Sequence, residues 1–422
     1  MIRTYRTELL RSPLRWWLPI LIATDLAVLY GRGRWWIGVW PQASVAGQIP
    51  AFYFGPLFSA LAAWSVNRAS RRGLDEQLNG SARPRWHAES LQLAATLTYG
   101  VGTYLVGVVA AAIVSSSSAG PGFLWPSYIL VGATTVAASA ATGHAVGRSS
   151  RSSFIAPMFC ALACFVLLGS LGDALGLIVL TGPPNVAVAS WPLTTRVLLG
   201  IAALGVAVAV PGRDARGRSD GRGSYGRGPY AAVSAAAVFS VCVIGYRSAG
   251  ALQVDRPAPD EALCTQTVPG VCLWPEDRKY LAPMTAMMTR VDQLPAGLFT
   301  IPPRFYELGL RSDKYQYTDF FISEGSMWDV ATDIAIQIVD ATFPNQCNGA
   351  NTAANTTRFH AEYELGTWIE SRMTGAPQPS SVHGGPPGVD VQAVGRLIYA
   401  SAVTQLTWVQ QHLATIRDTS CE

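Results

Sequence analysis

Charge is what this 422-residue chain has least of: 14% of its residues are Asp, Glu, Lys or Arg, against about 25% in average soluble domains. Half of the residues are apolar and the mean hydropathy is +0.24, which excludes a wholly soluble enzyme. Lysine is almost missing. Lys279 and Lys314 are the only two, and each is followed by Tyr. A P-loop needs Gly-Lys-Ser/Thr so that the lysine reaches the phosphates, so the chain is not expected to bind ATP by that means. Histidine is also scarce. None of the five is followed by Glu, which excludes a His-Glu-x-x-His zinc site. No enzyme activity, metal or cofactor is expected.

What charge there is divides sharply. Residues 1–247 hold 20 Arg and no Lys against 8 acidic residues, a net of +12, whereas residues 248–422 hold 11 basic and 19 acidic residues, a net of −8. The near-neutral total hides an apolar chain with basic loops and a mildly acidic tail. A helix crosses the bilayer core with about 20 mostly apolar residues, and seven stretches are read as crossings: 16–31, 51–66, 91–114, 125–146, 154–180, 193–210 and 230–246. In the fifth, Gly169, Gly172, Asp173 and Gly176 predict a break before Pro183 and Pro184.

Cytoplasmic loops collect arginine and lysine. With the N-terminus inside, 16 of the 20 arginines fall on the inner side and four, Arg32, Arg34, Arg196 and Arg247, on the outer side or at outer helix ends. Trp35, Trp36, Trp40, Trp125 and Trp191 then sit near the outer interface, which favours such rings. Seven crossings leave 248–422 outside. The expected organisation is a six-span domain over 1–211, a basic Gly/Arg linker over 212–229 suited to anionic lipid, a seventh span over 230–247, and an extracytoplasmic domain over 248–422. Membrane lipid, not nucleic acid, is the partner of such a surface.

Cysteine usage fits that sidedness. Cys160, Cys164 and Cys242 lie within spans, and Cys264, Cys272, Cys347 and Cys421 lie in the tail. An even set in an oxidising compartment reads as disulfides. Four cysteines permit three pairings. Cys264 with Cys272 closes a short loop containing Pro269 and Gly270 and is the favoured pair, leaving Cys347 with Cys421. Four free thiols would require an even number of crossings.

The segment after the second span carries the most specific pattern. It reads Asn67-Arg68-Ala69-Ser70-Arg71-Arg72-Gly73-Leu74-Asp75-Glu76-Gln77-Leu78-Asn79-Gly80-Ser81-Ala82-Arg83-Pro84-Arg85-Trp86. Leu74 and Leu78 stand at i, i+4 with Asp75, Glu76 and Gln77 between them, which predicts a short amphipathic helix. This segment resembles the loop that follows the second span in permease subunits of ABC-2-type transporters, where Arg-x-x-Gly-Thr-x-Glu-x-Leu-Leu leads through a Pro-containing turn to Arg-Trp and the third span. Arg71 or Arg72, Gly73, Glu76, Leu78, Pro84, Arg85 and Trp86 match. Leu74 stands where the family has Thr, Asn79 where it has the second Leu, and the family's common acidic residue before Arg71 is missing. The resemblance covers this loop and the six-span layout of 1–211.

The resemblance implies an all-α membrane protein with a six-helix ABC-2-like bundle, here extended by a seventh span and a mainly helical, disulfide-stapled extracytoplasmic domain. It implies a half-transporter that pairs as a homodimer or heterodimer and binds a separate cytosolic ABC ATPase through residues 71–86. It also implies a multi-pass protein of the cell membrane. Arginine without lysine and spans rich in Ala and Gly fit a high-GC bacterial genome. From a different class, the spans would merely display the tail as a membrane-anchored binding or receptor module.

Other features carry less. Asp25 lies in the middle of the first span, where carboxylates are expensive and usually functional; the alternatives are a substrate path, a helix partner such as Thr24 on a neighbouring subunit, or an outward shift of the span that lifts Asp25 toward the interface near Arg32 and Arg34. Cys160 and Cys164 share a helical face but lack a third ligand and read as packing. His144, near the inner end of the fourth span, reads the same way. Gly217-Arg218-Ser219-Asp220-Gly221 matches a nucleophile-elbow string but lacks the strand and helix that one needs. In the tail, helices are expected over 277–294, 326–341 (with Ser326 and Asp329 as its cap), 356–373 and 389–416. His360, Glu362, Glu364 and Glu370 cluster on or near one helix and are read as a solvated charged face, and the tail is read as a binding or gating domain.

Overall fold

A computed structural model describes residues 2–71, 85–150, 152, 154–209, 228–311, 319–344, 353–379 and 385–419. The chain is mostly helical and forms two compact units, Met1–Ser118 with Gly122–Val254, and Ala119–Pro121 with Asp255–Glu422.

The first unit contains α1 (Ile2–Arg11), α2 (Leu14–Gly31), α3 (Trp40–Gln48), α4 (Ala51–Arg71), α5 (Arg85–Ser116), α6 (Pro126–Ser149), α7 (Ile155–Leu171), β1 (Val186–Val188), α8 (Ser190–Ala209) and α9 (Gly228–Ser248). Five described stretches are long and apolar enough to cross a membrane: Leu14–Gly31, Trp40–Asn67, Trp86–Ser116, Pro126–Ser149 and Ser190–Ala209. Ile155–Leu171 and Ala237–Ser248, at the places of the expected fifth and seventh crossings, are shorter apolar helices. The fifth breaks where its glycines predicted. α7 ends at Leu171, and the amides of Leu177 and Ile178 both turn back to the Gly172 carbonyl.

Two features of this unit follow from small residues and from proline. A Cβ on Gly143 would fall 1.9 Å from the Ser59 carbonyl oxygen, and one on Gly147 2.7 Å from that of Ala63. This Gly-x-x-x-Gly face of α6 therefore lets the α4 backbone approach closely, as small residues do where apolar helices meet. Pro50, which offers no amide for a continuing helix, stands between α3 and α4. All nine residues of α3 are buried, Gln42, Ser44 and Gln48 among them.

The second unit contains β3 (Leu263–Cys264), β4 (Gly270–Leu273), a 3-10 turn at Pro275–Tyr280, α10 (Leu281–Asp292), β5 (Arg304–Tyr306), α11 (Met327–Thr342), α12 (Ala353–Thr374), α13 (Val391–Arg396), a 3-10 turn at Leu397–Tyr399 and α14 (Ala402–Asp418); β2 (Gln253–Asp255) precedes it and pairs with β1. The strands are an addition to the helical expectation. β3 pairs antiparallel with β4, and β4 parallel with β5, Val271 opposite Phe305. Its core gathers Val271, Leu273, Trp274, Met284, Met288, Phe305, Ile334, Ile338, Leu365 and Trp368. Arg290 donates to the carbonyls of Met373 (2.7 Å) and Thr374 (3.1 Å), closing the end of α12 with a cation where the helix dipole favours one.

The tail helices fall close to their expected places, with one correction. The stretch 389–416 is not one helix: it breaks at Ala400, whose backbone is extended, and Ser401 caps a new start by accepting from the Thr404 amide. Cys264 and Cys272 are directly opposed across the β3–β4 pair and form a disulfide. Cys347 and Cys421 lie outside the described residues, as does most of the basic linker.

Candidate functional site

Of the candidate coupling-loop residues, Arg72, Gly73, Leu74, Glu76, Leu78 and Pro84 lie outside the described residues. Arg71 is the last residue of α4 and Arg85 the first of α5. Trp86 is half exposed and stacks on His87 with ring centroids 3.7 Å apart.

Just inside that junction lies a group the sequence did not reveal. Glu89, one turn into α5, meets His144 Nε2 at 3.3 Å and the Arg148 guanidinium at 3.5 Å, all three buried. Arg148 also donates to the carbonyl of Val208 at 3.0 Å, at the end of α8. One carboxylate on α5 is thereby tied to α6 and, through Arg148, to α8. Helical spacing placed His144 and Arg148 on one face of α6, but nothing local in the sequence joined them to Glu89, 55 residues away from His144 by number.

Asp25 is fully buried on α2, and neither carboxylate oxygen makes a hydrogen bond of good geometry. Its carboxylate packs against Gly107 of α5, where a Cβ would fall 2.4 Å from Oδ2. The Gly107 amide belongs to the helix's own ladder. Asp25 thus packs against α5. Around the same part of α5, Tyr104 donates to the Ile129 carbonyl (2.9 Å) and stands close to Gln48 of α3 across Gly132. Gln48 Oε1 accepts from the Val179 amide (3.0 Å), while its Nε2 and the Gln42 Oε1 are buried without a bond. The short α3 therefore brings buried amide side chains into an apolar bundle.

The second unit buries carboxyls of its own. Asp277 is fully buried and Glu307 nearly so. Glu307 accepts from the Trp274 amide at 2.8 Å, and its other contact is Asp277 itself. Among the described residues neither Asp277 oxygen makes a hydrogen bond of good geometry. Burial first, then the facing carboxyl, pushes Glu307 well above the usual range. Burial also raises Asp277, opposed by Glu307 and by Lys279. Glu370 is pushed up to about 7 by burial, against a bond from Thr332 (2.8 Å) and with repulsion from Asp329. Asp333 is pushed up to about 6 by burial, against a bond from the Phe321 amide (3.0 Å). Asp277 reaches no solvent, so this pair stabilises the fold and is not placed to meet a substrate. Glu370, read with His360 as part of a solvated charged face, is buried instead, and Glu364, read the same way, pairs with His412 at 2.7 Å.

Among the described residues no group of three His, Cys, Asp or Glu is arranged to hold a metal ion. Cys160 is buried and Cys164 Sγ contacts the Ser139 hydroxyl at 3.4 Å, both free thiols in packing positions. No family model, no curated protein and no solved structure matches this chain.

Proposed function

We propose that the chain is the membrane-spanning permease subunit of an ATP-driven exporter of the ABC-2 type, paired with a second permease subunit and powered by a separate cytosolic ATPase. The observation that carries this reading is the Glu89–His144–Arg148 group beside the 71–86 segment. An exporter of this kind must pass motion from a docked ATPase to its spans, and a buried ionic tie among α5, α6 and α8 is a stiff connection for doing so. The length of α5 supports the same reading. Its 32 residues extend about 48 Å at 1.5 Å per residue, well beyond the roughly 30 Å apolar core of a bilayer. The end of α5 next to residues 72–84 then projects toward a soluble partner. Asp25, with Gln42 and Gln48 on the buried α3, supplies the polar groups that a solute path through the bundle requires.

The second unit, with its own core and disulfide, supports an alternative: a membrane-anchored extracytoplasmic binding module that transports nothing. Affinity purification of the tagged chain in mild detergent, with mass spectrometry of what accompanies it, separates the two. The permease reading expects a stoichiometric P-loop ATPase, lost when Gly73, Glu76 and Leu78 are replaced together without loss of membrane insertion. A preparation free of ATPase, with an external partner held by residues 255–422, would establish the anchored module instead.

A further inference from the structure

Arg196 is buried to 6% exposure in the second turn of α8. Its Nε donates to the Gly176 carbonyl (3.0 Å) and its Nη1 to the Pro192 carbonyl (2.8 Å). Its guanidinium lies 5.0 Å from the centre of the Tyr246 ring. Tyr246 in turn donates its hydroxyl to the Leu175 carbonyl. Among the described residues no carboxylate pairs with this guanidinium, and Nη2 makes no hydrogen bond. Guanidinium stays charged in any protein environment. Two carbonyls and a ring face offset only part of the cost of burying it, so the site is built around a positive charge with no direct ion pair among the described residues.

Arg196 lines a cleft of about 190 Å³ together with Asp173, Gly176, Ile178, Val179, Leu252 and Gln253. Gly176 makes room for it. Its backbone is left-handed at φ +57°, and a Cβ there would sit 2.6 Å from Nη2. The cleft is smaller than the roughly 300–1,000 Å³ of sites for drug-sized ligands and suits a compact polar group. Arginine's planar fork recognises the oxygens of phosphate or carboxylate. Asp173, exposed at the rim, lines the same cleft without pairing with Arg196. It repels a bare polyanion and favours an oxyanion that carries an ammonium beside it.

We propose that this cleft binds an amine-bearing phosphate, of the phosphoethanolamine kind, with phosphate on Arg196 and ammonium on Asp173. The chemistry is the same whether the group is the head of a membrane lipid or a free metabolite. The assignment does not depend on the ATPase reading, because it needs only the folded first unit.

The test uses the full chain in nanodiscs. Native mass spectrometry would follow retention of phosphatidylethanolamine against phosphatidylglycerol, and titration with soluble phosphoethanolamine would be run in discs of phosphatidylcholine. Preferential retention of phosphatidylethanolamine assigns a lipid headgroup; saturable binding of phosphoethanolamine without lipid preference assigns a free ligand. In either case Arg196→Gln is expected to weaken binding about tenfold or more, with Arg196→Lys intermediate because it keeps the charge but loses the fork. Arg196 also braces the fold, so Asp173→Asn, at an exposed position, is the second variant. It should abolish discrimination between the two lipids, or weaken phosphoethanolamine severalfold relative to inorganic phosphate. Absence of binding by either probe to the wild-type chain overturns the proposal, as does binding unchanged in both Arg196→Gln and Asp173→Asn.

Discussion

Glu89 and Glu307 are both buried carboxyls, and their surroundings are opposites. In the first unit Glu89 lies between His144 and Arg148; in the second, Glu307 lies against Asp277 and is pushed well above its ordinary range by burial. Glu89 is met by a cation, whereas Glu307 is met by another carboxyl and burial favours its protonated form. The comparison teaches that similar burial leads to different liabilities: removal of a partner is dangerous in the first unit, and a rise in pH is dangerous in the second.

The largest effect should come from Glu89→Ala. It leaves the Arg148 guanidinium buried without its carboxylate, and breaking a buried pair from one side costs about 3–5 kcal/mol. Thermal unfolding of the chain in detergent would show it as a large fall in the first unit's transition. Glu307→Gln should cost far less at neutral pH, because it removes one of two facing carboxyls. If the two variants proved equally damaging, the contrast between the units would fail.

The next effect concerns pH. The folded values of Glu370 (about 7, from 4.5) and Asp333 (about 6, from 3.8) are raised, so the folded second unit binds protons that its unfolded chain has released. The stabilisation is complete below about pH 4 and is lost as pH rises through 6 to 7. Glu370 alone accounts for roughly 3 kcal/mol at most. Glu370→Gln should flatten that slope. A second unit that gained stability between pH 4 and 7 would show that its carboxyls are ionised and paired after all.

Reduction of Cys264–Cys272 should be somewhat milder. The bridge spans a sequence separation of 8, for which loop-closure entropy gives about 2–3 kcal/mol. Reductant should lower the second unit's transition and leave the first unit's in place. Gly143→Ala tests the converse. Overpacking a close helix contact costs about 1–3 kcal/mol, and here the new Cβ would meet α4 backbone rather than a flexible side chain. Its effect belongs to the first unit alone.

What the sequence made legible was whatever a short window contains. Apolar length located the long helices of the first unit but not α1 or α3, glycine spacing located the end of α7, and a short cysteine loop located the disulfide. The Glu89 group was illegible because its members come together only when α5 and α6 pack, a relation that no local periodicity encodes. Arg196 was read as a charge at a helix end, and its burial depends on Gly176 and on Tyr246, a residue of another helix. Strands β3 to β5 are two to four residues long, too short for alternation to distinguish them from loop. The seven-crossing count rests on apolar length, and its sidedness on the arginine distribution and on cysteine usage. Asp25 was legible as unusual, but its seat against Gly107 was not.

The smallest effect tests this division between local and distant signals. Ser326 was read as a helix cap from its position three residues before Asp329. Its hydroxyl does accept from the Asp329 amide at 3.2 Å, at the start of α11. Ser326→Ala should cost about 1 kcal/mol, the ordinary value for a lost cap, and Ser326→Asp should recover most of it by supplying an equivalent acceptor near the positive end of the helix dipole. Both effects should appear in denaturant unfolding of the second unit without a change in slope, and the loss should be independent of the pH that titrates Glu370. A cap works within one turn, so its contribution should stay separate from the buried carboxyls even though α11 carries Asp333 and Thr332. If the cost of Ser326→Ala grew with pH instead, the start of α11 and the carboxyl cluster would be acting as one device. The local reading of this helix would then need the tertiary contacts that explain the rest of the unit.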